Sequence, residues 1–85
     1  MTPAPPKGLG DGTYTVPAEV KPGTYKTQGS DNENIPCYWA RLSGTSGELG
    51  DIIANGNPSG QTTITIKTGD KAFETNGCKD WVRVK

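Results

Sequence analysis

From residue 11 onward, several short runs of the chain alternate between β-forming side chains and small or polar ones, the periodicity of a strand with one buried face. The runs GTYTV (12–16) and GTYKT (23–27) show this alternation, and TTITIK (62–67) shows it most clearly. In the last run Ile64 and Ile66 are expected to face a core while the threonines face solvent. We therefore predict a strand in each run, with a short proline-bounded connection between the first two.

The run CYWARLS (37–43) is predicted to be the central strand, because large side chains fall on both of its faces. One face carries Cys37, Trp39 and Arg41, and the other carries Tyr38, Ala40 and Leu42. Further along, DIIAN (51–55) has the length of a short strand or of a single helical turn.

An Asn-Gly pair separates the last two runs, KAFET (71–75) and CKDWVRVK (78–85). Asn-Gly is a strong hairpin signal, because a type I′ turn needs positive φ at both central residues. We therefore predict that these two runs pair directly as a hairpin. Val82 and Val84 are expected to face inward, which leaves Trp81, Arg83 and Lys85 on the other face.

Together these elements predict an all-β domain over residues 11–85, a small antiparallel β-sandwich or barrel of six to eight short strands. Residues 1–10 (MTPAPPKGLG) are rich in proline and glycine, a composition that favours extended chain without packed structure. We interpret this segment as an N-terminal arm or linker. The more specific hypothesis is that Pro3, Pro5 and Pro6 lie on the surface of a partner.

The apolar content, 31%, is low for a globular domain, for which about 45–50% is usual. So small a core usually needs a covalent cross-link. A disulfide between Cys37 and Cys78 would close a loop of about 42 residues and contribute about 4 kcal/mol in the chain-entropy model. The alternatives are two buried free thiols or a metal pair, although structural zinc sites use four ligands.

Charge and hydropathy narrow the possible partners. Nine basic and nine acidic residues cancel, and no basic stripe provides the electrostatic footprint of nucleic-acid binding. No apolar run approaches the roughly 20 residues of a membrane span. The N-terminus also lacks the basic and apolar regions of a signal peptide.

The residue types give little support for catalysis. The chain has no histidine, which removes the commonest general base and the usual nucleophile pairs. Its carboxylates show no spacing that marks an acid pair of the glycosidase type. The residues Asp31, Asn32, Glu33 and Asn34 offer calcium-type oxygen ligands, but without the spacing of an EF-hand loop they are better interpreted as a polar loop. We therefore predict a non-enzymatic protein with no cofactor and no metal.

The two tryptophans allow two interpretations. If Trp39 and Trp81 were exposed together, they could anchor a protein partner or stack on a sugar. A domain poor in apolar residues would instead use them in the core around the disulfide. The core interpretation is favoured, and the binding interpretation is kept as the alternative.

The order of several short motifs resembles a small domain found in secreted proteins and lipoproteins of actinobacteria and in proteins of phages that infect them. The resemblance covers residues 9–84. It depends on Gly10-Asp11-Gly12, Pro22-Gly23-Thr24-Tyr25, Cys37-Tyr38-Trp39, Asp51-Ile52-Ile53, Phe73-Glu74 and Cys78. It implies an extracytoplasmic β module with a disulfide, and it transfers no catalytic residue.

The start of the chain differs from that of the secreted members, which carry a signal peptide or lipobox before a low-complexity linker. Either Met1 begins an excised domain, or it is the natural start of a phage protein that leaves the cell in a virion. The leading hypothesis is a structural protein of the virion surface, a capsid decoration or tail protein that contacts capsid or tail subunits. The alternative is a ligand- or partner-binding domain of a secreted actinobacterial envelope protein, with envelope components as partners.

Overall fold

The structure is a computed structural model that describes residues 8–32, 34–45 and 49–84. Within these ranges it contains seven short strands and a 3₁₀ turn at Leu49–Asp51. The strands are β1 (Gly12–Thr15), β2 (Gly23–Thr27), β3 (Tyr38–Leu42), β4 (Ile52–Gly56), β5 (Thr62–Ile66), β6 (Ala72–Asn76) and β7 (Val82–Arg83). The prediction of an all-β fold with six to eight short strands is confirmed.

The strands form two antiparallel sheets, a four-stranded sheet in the order β1-β6-β3-β4 and a three-stranded sheet in the order β5-β2-β7. The main core contains Tyr25, Ile64 and Ile66 from the three-stranded sheet and Phe73 from the other. Its remaining buried members are Val16, Val20, Cys37, Cys78 and Trp81. The fold is therefore a sandwich rather than a closed barrel.

The two cysteines are joined as Cys37–Cys78, which confirms the predicted disulfide and removes the free-thiol and metal alternatives. Both cysteines are buried in the main core. The bond joins the residue before β3 to the segment between β6 and β7, so it links the two ends of the second half of the chain.

The predicted hairpin at Asn76-Gly77 is wrong. Strand β6 pairs with β1 and β3, whereas β7 pairs with β2 in the other sheet. Gly77 does have positive φ, at 75°, but Asn76 does not, so the type I′ turn is not formed. The chain instead leaves the four-stranded sheet after β6. At this point the Gly77 carbonyl accepts from the Asp31 N–H, and Cys78 is bonded to Cys37, so the chain is fixed to other segments and does not fold back on β6.

The predicted orientation of the last strand is also wrong. Trp81 is 1% exposed, whereas Val82 and Val84 are 45% and 52% exposed. Because side chains alternate along a strand, burying position 81 turns positions 82 and 84 outward. Facing inward, the Trp81 indole packs edge-to-face on Phe73 and donates its N–H to Thr75, contacts that a valine could not make. Lys85 lies outside the described residues.

A partly buried ion pair joins the β5–β6 turn to the central strand β3. Asp70 accepts from Arg41 Nε at 2.7 Å and from a terminal guanidinium nitrogen at 2.9 Å. The same carboxylate accepts from the Lys67 N–H at 2.9 Å. Burial by itself would raise the pKa of Asp70, but the Arg41 and Lys67 hydrogen bonds together hold the pKa below its ordinary value.

Candidate functional site

The two tryptophans that the sequence suggested as a joint binding face differ in burial, although Trp39 packs against the core that contains Trp81. The Trp81 indole is buried, donates from Nε1 to Thr75 Oγ1 at 2.8 Å, and meets Phe73 edge-to-face at a centroid distance of 5.6 Å. The Trp39 indole is only partly buried and lies close over Gly56, where a Cβ atom would be 2.8 Å from Nε1. Trp39 therefore offers part of its surface to solvent, whereas Trp81 is almost fully enclosed.

A cleft lies beside β7 among the described residues, and we call it the β7 cleft. Leu9, Val20, Tyr25, Trp81 and Val82 supply its apolar lining. Three charged residues complete it, namely Glu19, Lys21 and Arg83. The cleft therefore combines an apolar floor with a charged rim, an arrangement typical of ligand sites.

The segment between β1 and β2 forms one wall of the β7 cleft. The Thr15 carbonyl accepts from the N–H groups of Glu19 and Val20, at 2.9 and 3.0 Å, and so closes a tight turn. Val20 then enters the core, 3% exposed. The Tyr25 hydroxyl donates to the Lys21 carbonyl at 2.7 Å and fixes the end of this wall to β2.

Leu9 also lines the cleft, although it belongs to the segment that the sequence assigned to the arm. Leu9 and Trp81 exchange backbone hydrogen bonds of 2.9 and 3.1 Å. A Cβ atom at Gly8 would lie 2.9 Å from the Trp81 carbonyl oxygen, so this close approach requires glycine. Pro3, Pro5 and Pro6 lie outside the described residues.

The rim of the β7 cleft carries a fixed negative charge and two positive charges. The Glu19 carboxylate accepts from both the N–H and the hydroxyl of Thr15, each at 3.0 Å. The backbone bond is the larger cause that lowers the pKa of Glu19, so this group stays ionised in mildly acidic solution. Lys21 and Arg83 are cationic, which leaves the rim with one net positive charge.

The size of the β7 cleft indicates what it can hold. Its volume is about 240 Å³, below the roughly 300–1,000 Å³ of sites for drug-sized ligands. It can receive one or two apolar side chains, but it is small for an organic cofactor.

The calcium-type loop is organised by its own hydrogen bonds. The Ser30 hydroxyl donates to the carbonyls of Asn32 and Ile35, and the Asn34 N–H donates to Asn32 Oδ1 at 3.0 Å. Glu33 is not among the described residues. Across the described ranges, no group of three or more histidine, cysteine or acidic residues is placed to hold a metal ion.

The sequence indicates the disulfide and the aromatic residues near it, but it does not indicate the β7 cleft. Val20 was the available signal, because it is an isolated apolar residue in the connection between β1 and β2. The approach of Leu9 to Trp81 had no local signal, since the two residues lie at opposite ends of the chain.

The chain matches the model of a known family. A family model described as the Rv1352-like extracellular domain matches residues 7–82. The uncharacterized protein Rv1352 of Mycobacterium tuberculosis (strain ATCC 25618 / H37Rv) is 29% identical over 85 aligned positions, covering 88% of this chain and 69% of that protein. The uncharacterized protein Mb1387 of Mycobacterium bovis gives the same identity and coverage. No solved structure gives a significant match.

These matches agree with the sequence resemblance to an actinobacterial extracellular domain, and the family description supports an extracytoplasmic location. Among the described residues, no helix has the length and apolar character needed to cross a bilayer.

Proposed function

Because the chain belongs to the Rv1352-like extracellular domain family, we propose that it is a non-enzymatic binding module of the actinobacterial cell envelope. The β7 cleft is its contact site, and the ligand is a segment of a protein partner. The observation that carries this proposal is the apolar floor of the cleft beneath a rim with two cations and one carboxylate.

The dimensions and charges of the cleft define the partner. The volume of about 240 Å³ suits one or two apolar side chains inserted from a protein surface. Lys21, an exposed cation that lines the cleft, favours a carboxylate next to the inserted side chain. The partner segment is therefore an apolar residue flanked by an acidic one.

Binding is proposed rather than catalysis because the charged groups of the cleft are poorly suited to acid–base chemistry. The chain contains no histidine. The carboxylate in the cleft, Glu19, already accepts two hydrogen bonds from Thr15 that lower its pKa, so it is scarce as a proton donor and weak as a base.

The virion hypothesis gains no support from the comparisons, since the relatives named above are mycobacterial proteins and the family is described as extracellular. A partly exposed Trp39 remains a second candidate contact for an envelope partner, because an aromatic side chain at the surface is a common anchor in interfaces.

Site-specific photo-crosslinking tests the proposal. A benzophenone amino acid at Val82, an exposed part of the apolar lining of the β7 cleft, is compared with the same residue at Thr13, an exposed position on the other sheet. Both proteins are incubated with a mycobacterial envelope fraction, and cross-linked proteins are identified by mass spectrometry. We expect a partner that is captured from position 82 and not from position 13.

The affinity of the purified partner for variants of the chain is then measured by calorimetry. Val82→Asp and Lys21→Glu should each weaken its binding at least about tenfold, whereas Thr13→Asp should leave it unchanged. Equal capture from both positions, or a captured protein whose affinity is the same for all three variants, would refute the cleft as the contact site.

A further inference from the structure

The edge of β5 differs from the other three sheet edges in having no visible protection. Strand β1 is covered where the Glu19 carboxylate accepts from the Thr15 N–H, and β4 is irregular at its register shift. Strand β7 has only two residues, and the residue before it, Trp81, is already paired with Leu9. Strand β5 has five residues in unbroken register with β2 and contains no proline, glycine or charged residue.

The hydrogen-bonding direction of the sheet shows which groups of β5 face outward. The Val84 N–H donates to the Thr24 carbonyl, so Thr24 directs its backbone groups toward β7. Its neighbours on β2, including Tyr25, therefore direct theirs toward β5, where Tyr25 is opposite Ile64. It follows that Ile64 bonds to β2, while Thr63 and Thr65 direct their N–H and C=O groups to the free edge. No strand pairs with that edge in residues 8–32, 34–45 and 49–84.

The sequence of β5 is complementary to itself in the antiparallel direction. A two-fold axis through Ile64 places Thr63 opposite Thr65 of a second copy, and these are the residues whose backbone groups face outward. Each Thr63–Thr65 pair can then exchange two backbone hydrogen bonds. The same threonine type already pairs across the sheet, where the Thr24 and Thr65 hydroxyls are 3.2 Å apart.

The charges also permit this pairing. In the same register Lys67 falls opposite Gln61 of the second copy, so no like charges meet along the strand. The whole chain has a formal net charge of zero, so two copies do not repel each other at long range.

We propose that the β5 edge is a homodimerisation surface, at which two copies pair antiparallel about Ile64 and form a continuous six-stranded sheet. A single strand pair buries a small interface, so the dimer is transient, with a dissociation constant on the order of 10⁻⁴ M. The surface is separate from the β7 cleft, because β5 and β7 are the two opposite edges of the same sheet.

Charge-swap variants test this surface directly. Thr63 and Thr65 are both exposed, so each can be replaced without disturbing the core. The double variant Thr63→Lys/Thr65→Lys places lysines opposite each other in the dimer, and Thr63→Glu/Thr65→Glu does the same with carboxylates. In sedimentation equilibrium up to about 1 mM, the wild-type chain should dimerise, each variant alone should stay monomeric, and their equimolar mixture should dimerise again. Thr13→Lys is the matched control and should behave as the wild type.

Amide hydrogen exchange of the wild-type chain provides a second test that needs no variant. Raising the concentration should slow exchange at Thr63 and Thr65, while Ile64, whose N–H already bonds to β2, serves as the internal reference. A chain that stays monomeric to about 1 mM would overturn the proposal. A dimer that both double variants leave intact would overturn it as well, because the interface would then lie elsewhere.

Discussion

Replacing Asp70 by asparagine removes the charge at the centre of the ion pair that joins the β5–β6 turn to β3. The Asp70 carboxylate is 3% exposed and accepts two hydrogen bonds from Arg41 and one from the Lys67 N–H. Asparagine has nearly the same shape, but it keeps one acceptor oxygen and presents an amide N–H₂ group where the second oxygen stood. The variant therefore leaves Arg41 without a charged partner.

The magnitude follows from this geometry. Removing one partner of a buried ion pair usually costs about 3–5 kcal/mol. The Arg41 side chain is 14% exposed and can recover some hydration, so we expect a loss at the lower end of that range, about 3 kcal/mol. Asp31, which is exposed, supplies the matched control, and Asp31→Asn should change the free energy of unfolding by less than about 0.5 kcal/mol.

The effect should depend on pH in a direction that the structure fixes. The pKa of Asp70 is lower in the folded state than in the unfolded chain, where a value of about 3.9 applies. The ionised carboxylate therefore contributes its full stabilisation above about pH 4, and this contribution is lost as the pH falls through the folded-state pKa. The difference between wild type and Asp70→Asn should be constant from about pH 5 to 7 and should shrink below about pH 4.

Urea unfolding at a series of pH values, followed by tryptophan fluorescence with the disulfide intact, measures this difference. The double-mutant cycle with Arg41→Met isolates the coupling between the two side chains. A loss below about 0.5 kcal/mol at neutral pH, or a loss that does not change between about pH 7 and 3, would refute the assignment of Asp70 as an ionised, stabilising partner.

Three further perturbations test other parts of the fold. Replacing both cysteines by alanine should lower the free energy of unfolding by about 4 kcal/mol, measured by urea titration, because the bond closes a sequence separation of 41 residues; a loss under about 1 kcal/mol would contradict this. Gly29→Ala should lower the free energy of unfolding by more than about 2 kcal/mol, since φ is +128° and the new Cβ would lie 2.8 Å from a backbone oxygen. Gly60→Ala is the control, because its Cβ enters open space and should be nearly neutral. Equal melting temperatures of the two variants would refute this prediction. Trp81→Phe should cost about 2–3 kcal/mol in circular-dichroism melts, because it leaves the Thr75 hydroxyl without the indole N–H and opens a cavity; an unchanged melt would show that the core can repack around the smaller ring.

Local pattern was sufficient for the strands whose alternation is regular. Strand β2 occupies the predicted run 23–27, and β5 buries Ile64 and Ile66 as expected. Such strands can be predicted from the sequence because side-chain direction has a period of two residues, which is a local property of the backbone. The disulfide could likewise be predicted from the low apolar content and the presence of two cysteines.

Which strands pair with each other could not be predicted from local pattern. The Asn76-Gly77 signal predicted a hairpin, yet β6 and β7 belong to different sheets. The Arg41–Asp70 pair joins residues that are far apart in sequence, and no local pattern distinguished Asp70 from other loop carboxylates. Both outcomes depend on which distant segments meet when the sheets pack.

The sequence by itself therefore determined the fold class, most strand positions and the covalent cross-link, because these follow from backbone periodicity, turn chemistry and composition. Only the tertiary structure decided which face of the last strand is buried, where the β7 cleft lies, and which edge remains open at β5. These features depend on competition among distant contacts. The Trp81 indole is buried by its contacts with Phe73 and Thr75, which leaves Val82 and Val84 exposed. The pairing of Leu9 with Trp81 brings residues from the two ends of the chain together in the lining of the cleft.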